Sequence, residues 1–123
     1  MNAVKLIEGN GRIIFVMDLS NPNGIEDISA RVEEIILQVR KTKERNSIYA
    51  LLDLTNLKFN SRTLPFLKKL SMNNGPYMKY VAFVGLNGVY SIVFRTMFRI
   101  TKRVNHNVIK TKEKAITWLS EKE

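Results

Sequence analysis

The chain has 123 residues, 45% apolar and 25% charged, with 20 Lys and Arg against 11 Asp and Glu for a net charge of +9. That length and balance describe one folded domain with its own core rather than a disordered tail. It contains no cysteine, which excludes disulfides, thiolate metal sites and a Cys nucleophile.

Residues 4–7 and 12–19 are apolar runs separated by Glu8-Gly9-Asn10-Gly11, and they predict a hairpin. The run from Ile13 to Met17 is too short for a signal-peptide core. Ser20-Asn21-Pro22-Asn23-Gly24 then breaks the strand. Residues 25–42 carry Ile25, Ile28, Val32, Ile35, Ile36 and Val39 at three- and four-residue steps, one apolar stripe on a helix. Glu26 and Asp27 at its start and Arg40, Lys41 and Lys43 at its end match the helix dipole. Residues 48–54 (IYALLDL) form the continuous apolar run of a strand buried on both faces.

A second helix is predicted from about Ser61, with Pro65 in its first turn, to the break at Asn73-Asn74-Gly75-Pro76. Residues 80–85 (YVAFVG) read as another buried strand, Leu86-Asn87-Gly88 as a turn and 89–103 as a third helix. Residues 107–110 make a short last strand, and 113–123 a closing helix anchored by Ala115, Ile116, Trp118 and Leu119. The longest uncharged stretch, 80–94, falls short of the roughly 20 apolar residues that span a membrane; a cytoplasmic protein is expected. The order is β-β-α-β-α-β-α-β-α, hence an α/β domain over residues 1–123 with a mostly parallel sheet and an antiparallel N-terminal edge strand.

Open α/β sheets bind ligands beyond the carboxyl ends of their strands. Three such ends converge here: Asp18-Leu19-Ser20, Asp53-Leu54-Thr55-Asn56 and Gly85-Leu86-Asn87-Gly88. Asp18, Asp53, Thr55, Gly85, Asn87 and Gly88 are therefore the ligand-binding candidates. Two acids beside hydroxyls match part of a hydrolytic or metal site, and equally match side chains that cap the following turns. No histidine lies near them in sequence to act as an acid or base poised near neutral pH. Catalysis, a metal and a cofactor are not expected. The glycine turn has the strand-to-helix placement that presents N–H groups to an anion, but it is neither GxxxxGK(S/T) nor GxGxxG. His106, within Asn105-His106-Asn107, reads as part of a polar surface turn.

The charge is unevenly placed. Residues 1–61 hold eight basic and eight acidic residues, and residues 62–123 hold twelve and three. From Leu54 to Lys112 there is no Asp or Glu, against eleven Lys and Arg. Such a segment attracts anions unless Glu8, Glu33 and Glu34 fold back on it. The predicted helix 89–103 sets Tyr90, Val93, Phe94, Met97, Phe98 and Ile100 against a basic stripe of Arg95, Arg99, Lys102 and Arg103. Its apolar arc exceeds the approximately 100° of an ordinary surface helix, so it reads as core, as a dimer contact or as a lipid-facing surface. No nucleic-acid-reading motif is visible, and a specific nucleic-acid partner is not expected.

Residues 48–64, IYALLDLTNLKFNSRTL, resemble the strand–turn–helix of STAS domains, the anti-sigma-factor antagonist and sulphate-transporter family. There a hydrophobic strand runs into Asp-Leu-Ser-x-Val/Leu-x-x-Ile-Asp-Ser. KYVAFVGLNG, the apolar-basic segment after it and the closing AITWL are similar to the SpoIIAA-like subgroup, related to CRAL-TRIO lipid-binding domains. The resemblance implies that fold and a regulatory rather than enzymatic role. In the antagonists the phosphorylated serine follows an aspartate; an ungapped match sets Asn60-Ser61-Arg62 over Ile-Asp-Ser. Arg62 then takes the serine's place, and Ser61 serves as phosphosite only if the register slips by one. Ser61 is also a natural N-cap.

The expected function is a non-enzymatic STAS-like binding or regulatory domain. It would engage an acidic protein partner, or homodimerise, through its basic C-terminal half: Arg62, Lys68, Lys69, Arg95, Arg99, Lys102 and Arg103. An anionic lipid or membrane surface is the alternative partner. A small enzyme or nucleotide-binding domain using the strand ends comes third.

Overall fold

The computed structural model describes residues 2–86, Gly88 and 105–122. The hairpin forms as β1 (Val4–Gly9) and β2 (Arg12–Asp18), joined by Asn10-Gly11. Both turn residues have positive φ, 55° and 79°, the conformation that lets a two-residue loop follow the natural twist of its strands. β3 (Ile48–Asp53), β4 (Met78–Val84) and β5 (Asn105–Val108) complete one five-stranded sheet in the order β1-β2-β3-β4-β5. Only the β1–β2 pair is antiparallel; β2, β3, β4 and β5 run parallel. The mostly parallel sheet with an antiparallel first edge is thus the one expected.

Alternation along each strand divides the core in two. One face, with Met17, Leu19, Ala50, Leu52 and Phe83, packs under α1 (Gly24–Arg40), whose Ile28, Val32, Ile35, Ile36 and Val39 are buried as the stripe predicts. α2 (Leu64–Asn74) lies beside α1 and adds Leu70 to the same cluster. The other face, with Ile14, Tyr49, Leu51, Ala82 and Val84, is covered by Ala115 and Leu119 of α3 (Lys112–Glu121). Every residue of β3 is buried, the reason its sequence is an unbroken apolar run.

Several boundaries differ from expectation. α2 begins at Leu64, three residues after Ser61. Asn60 and Thr63 account for the delay. Asn60 Oδ1 accepts the N–H groups of Arg62 and Thr63 at 2.9 and 3.1 Å, while Thr63 Oγ1 donates to the Lys58 carbonyl at 2.6 Å. This closed turn holds 60–63 out of the helix, so the N-cap position expected of Ser61 falls to Thr63. β5 starts at Asn105 and contains His106, which is therefore not in a turn: it lies opposite Val81, its ring 6.4 Å from that of Phe83. A 3-10 turn, Gly75–Tyr77, stands where a simple break was expected. The predicted helix 89–103 lies outside the described residues.

Candidate functional site

Asp18 and Asp53 are register partners on adjacent parallel strands, and Val84 continues the row. Each is followed by the same four-residue pattern, Asp-Leu-Ser-Asn at 18–21 and Asp-Leu-Thr-Asn at 53–56, and the two patterns fold alike. Asp53 Oδ1 accepts the Thr55 N–H at 3.0 Å and its hydroxyl at 2.6 Å. Asp18 Oδ1 accepts the Ser20 N–H at 2.8 Å and its hydroxyl. Leu19 and Leu54 are buried in the core. Asn21 and Asn56 close the turns with φ of 46° and 59°, the left-handed region asparagine tolerates best after glycine. The turns are stitched together by Asn21 N–H to Thr55 C=O at 2.8 Å and Asn56 Nδ2 to Asn21 Oδ1 at 2.7 Å.

Each carboxylate also meets a cation. Lys112 Nζ, in the first turn of α3, lies 3.1 Å from Asp53 Oδ2, and Arg31 Nη1 lies 3.8 Å from Asp18 Oδ1. The Asp53 side chain is only 4% exposed, that of Asp18 40%. Burial pushes the Asp53 carboxyl up; the Thr55 hydroxyl and N–H bonds and Lys112 together outweigh it and hold the group below the ordinary carboxylate range. A carboxylate so held is a weak base at neutral pH, the opposite of what proton abstraction requires. By their hydrogen bonds both acids cap the turns that follow them, which is one of the two readings their sequence context allowed.

Arg31 is the residue the sequence reading missed. It stands in the apolar stripe of α1 and is buried. Its Nε and Nη2 grip Asp27 at 3.0 and 2.9 Å, and Nη1 donates to the Ser20 carbonyl at 2.7 Å. Asp27 is held low by the Asn23 N–H first and Arg31 second. The fork ties the loop after β2 to the helix it leads into. The available signal was the Asp27–Arg31 spacing of four residues on one helix, and for the twin turns it was the repeated four-residue pattern.

Gly85 has φ of +84°, and a Cβ there would collide with the backbone nitrogen, Cα and Oγ1 of Thr55. Its role is to let β4 leave the sheet against the Asp53 turn. An open groove of about 260 Å³ runs beside it, lined by Leu54, Asn56, Leu57, Lys58, Phe59, Gly85 and Leu86. Of the ligand candidates among the described residues, Gly85 lines this groove; Asp18, Asp53, Thr55 and Gly88 do not. Gly88 has φ of 50°, and Asn87 lies outside the described residues.

Of the predicted basic face, Arg62, Lys68 and Lys69 are exposed at and along α2. Lys69 pairs with Glu33 of α1, so one of the three acids weighed as neutralisers does fold back. Glu34 instead accepts the Ala3 and Val4 N–H groups. Arg95, Arg99, Lys102 and Arg103 lie outside the described residues. Ser61 is exposed on the turn next to Arg62. Among the described residues no three His, Asp or Glu side chains gather as a metal site, and no helix is long and apolar enough to cross a membrane.

At the level of the whole backbone, the chain superposes on a crystal structure from Shewanella loihica PV-4, a DUF3478-family protein described as having a SpoIIAA-like fold. The TM-score is 0.70 over 95% of this chain and 92% of that one. This chain has a SpoIIAA-like fold. Sequence identity to that SpoIIAA-like protein is 20%, so the likeness concerns architecture alone. No family model and no curated protein matches the sequence. The STAS resemblance of residues 48–64 and the SpoIIAA-like likeness of KYVAFVGLNG and AITWL are therefore borne out as fold.

Proposed function

We propose that this SpoIIAA-like domain is a non-enzymatic regulatory module that docks an acidic protein surface. One observation carries the reading. Lys58, Arg62 and Lys68 stand exposed around the start of α2, in a span from Leu54 to Lys112 that contains no acid of its own. Asp18 and Asp53 each bond the turn that follows, and Asp53 also meets Lys112. A field of one sign with few local counter-charges raises the encounter rate with an oppositely charged face and makes it strongly salt-dependent. Of the two expected protein partners, an acidic one is favoured over a second copy at this surface, because two such halves repel. Ser61, beside Arg62, is where phosphorylation would turn part of the surface negative and release the partner.

The test is affinity capture at graded ionic strength, comparing the native chain with the double variant Arg62→Glu, Lys68→Glu. Captured proteins should be acidic, elute as salt rises and be lost with the variant. Equal recovery by both baits, or none at low salt, sinks the proposal. The alternative, an anionic lipid surface, rests on residues 89–103; co-sedimentation with anionic but not neutral vesicles would put it first.

A further inference from the structure

We infer that the free edge of β1 pairs antiparallel with β1 of a second copy, about a two-fold axis passing beside Leu6, joining two five-stranded sheets edge to edge. This surface is separate from the basic half and does not depend on the acidic-partner reading.

The hydrogen-bond phase of the hairpin sets the geometry. The Asp18 N–H donates to the Ala3 carbonyl at 2.8 Å, and Val4 lies opposite Met17. Ala3 and Asp18 are therefore a hydrogen-bonded pair, and antiparallel alternation makes Lys5/Val16, Ile7/Ile14 and Gly9/Arg12 the others. The main-chain groups of Val4, Leu6 and Glu8 must point away from β2, out of the sheet. The Val4 N–H agrees, since it donates to Glu34 Oε2 at 3.2 Å rather than to β2; Ala3, at the bend before the strand, adds its own N–H to that oxygen. Among the described residues, the Leu6 and Glu8 N–H groups and the Val4, Leu6 and Glu8 carbonyls are left without a partner.

The side chains mark the same edge. Leu6 and Ile13 are 54% and 53% exposed. They lie diagonally across β1–β2 on the face shared with α1, because Leu6 opposes Phe15 and Ile13 opposes Glu8. Edge strands in soluble proteins are usually blunted by charge, proline or a bulge. Here Glu34 covers the Val4 end and Lys5 and Glu8 carry single charges of opposite sign, while Leu6 at the centre stays exposed and apolar.

A two-fold axis perpendicular to the sheet keeps like faces together, so only residues of equal parity meet across it. Centred on Leu6, the pairing sets Leu6 against its own counterpart, and these exchange both bonds. Each Glu8 N–H meets the Val4 carbonyl of the other copy. The Val4 N–H, already held by Glu34, is not needed. Centring on Ile7 would make as many bonds, but would place Leu6 against Glu8 of the other copy and part the two exposed leucines. The exposed leucine, set against its own counterpart, selects the first register.

Charge points the same way. β1 belongs to residues 1–61, which are net neutral, and β5, in the +9 half, is the opposite edge of the sheet. Two copies meeting at β1 keep their positive halves far apart. A strand pair of this length buries less than the approximately 1,600 Å² of a standard interface, so the dimer should dissociate on dilution.

Sedimentation across a concentration series tests this, with three variants. The native chain should shift from dimer to monomer mass on dilution. Leu6→Lys, at a position exposed in the monomer, should leave the circular dichroism unchanged and abolish the dimer. Leu6→Cys supplies the chain's sole thiol, and hydrogen-bonded antiparallel pairs sit about 5.5 Å apart at Cα, within disulfide reach. On oxidation it should cross-link about tenfold or more faster than Leu37→Cys, an exposed α1 control, because pairing raises the effective concentration. A native chain monomeric at its highest soluble concentration, a dimer that survives Leu6→Lys, or equal cross-linking by the two cysteines would each overturn the inference.

Discussion

Asp53 illustrates how much one side chain decides at the end of a parallel strand. Its oxygens serve Thr55 and Lys112 while almost out of water, and donors that lose a shared charged acceptor cost more than the average hydrogen bond. Asp53→Ala should lower unfolding free energy by about 2–3 kcal/mol in denaturant titration. Asp53→Asn keeps an acceptor for Thr55 and should cost less. The folded-state pKa is depressed, so the carboxylate stabilises the fold above its ordinary value of about 3.9 and that contribution fades as pH falls through the lower folded value. The deficit of Asp53→Asn relative to the native chain should accordingly shrink in acid; a deficit constant from neutral pH downward would refute the assignment. Gly85→Ala confronts a positive φ and the Thr55 backbone together. It should destabilise by at least about 2 kcal/mol in the same assay.

Among the elements, α3 depends on contacts from distant parts of the chain. Ala115 and Leu119 bury one side of it. Arg12 Nη1 donates to the Leu119 carbonyl at 2.8 Å, and the same guanidinium lies 3.9 Å from the centre of the Tyr49 ring. Tyr49 stacks on Tyr80, which meets Trp118 edge-on at 5.8 Å. A cation at a helix C-terminus and over an aromatic face gains from both contacts, each of order 0.5–1 kcal/mol. Arg12→Ala should therefore cost about 1–2 kcal/mol. A double-mutant cycle with Tyr49→Leu should return a coupling energy of about 0.5 kcal/mol or more. Strict additivity would mean that Arg12 acts only through the helix end.

Taken whole, the molecule carries +9 with its excess confined to residues 62–123. Four ion pairs, Arg31–Asp18, Arg31–Asp27, Lys69–Glu33 and Lys112–Asp53, join described residues; they leave most of that excess unanswered. Self-repulsion of this kind opposes compaction and is screened over about 8–10 Å at physiological ionic strength. Adding sodium chloride from near zero to physiological levels should raise the melting temperature. A fall would show that the ion pairs outweigh the repulsion.

The sequence by itself determined the alternation of strands and helices, because burial imposes periods that survive in a string of letters: the Ile28–Val39 stripe and the unbroken IYALLD run. It also held the charge partition and, unnoticed, the twin Asp-Leu-(Ser/Thr)-Asn turns. It did not determine whether Asp18 and Asp53 cap their turns, since the same acid beside the same hydroxyl suits a catalytic site or a cap, and the capping bonds are seen only in the folded chain. Lys112 meeting Asp53, Arg12 closing α3 and Thr55 blocking any side chain at Gly85 are contacts between residues tens of positions apart. They were invisible until the chain folded, because proximity across a sheet follows strand order rather than sequence distance. The free edge of β1 is of the same kind: its residues were readable as a strand, but which of its main-chain groups face outward was decided by the register of the hairpin.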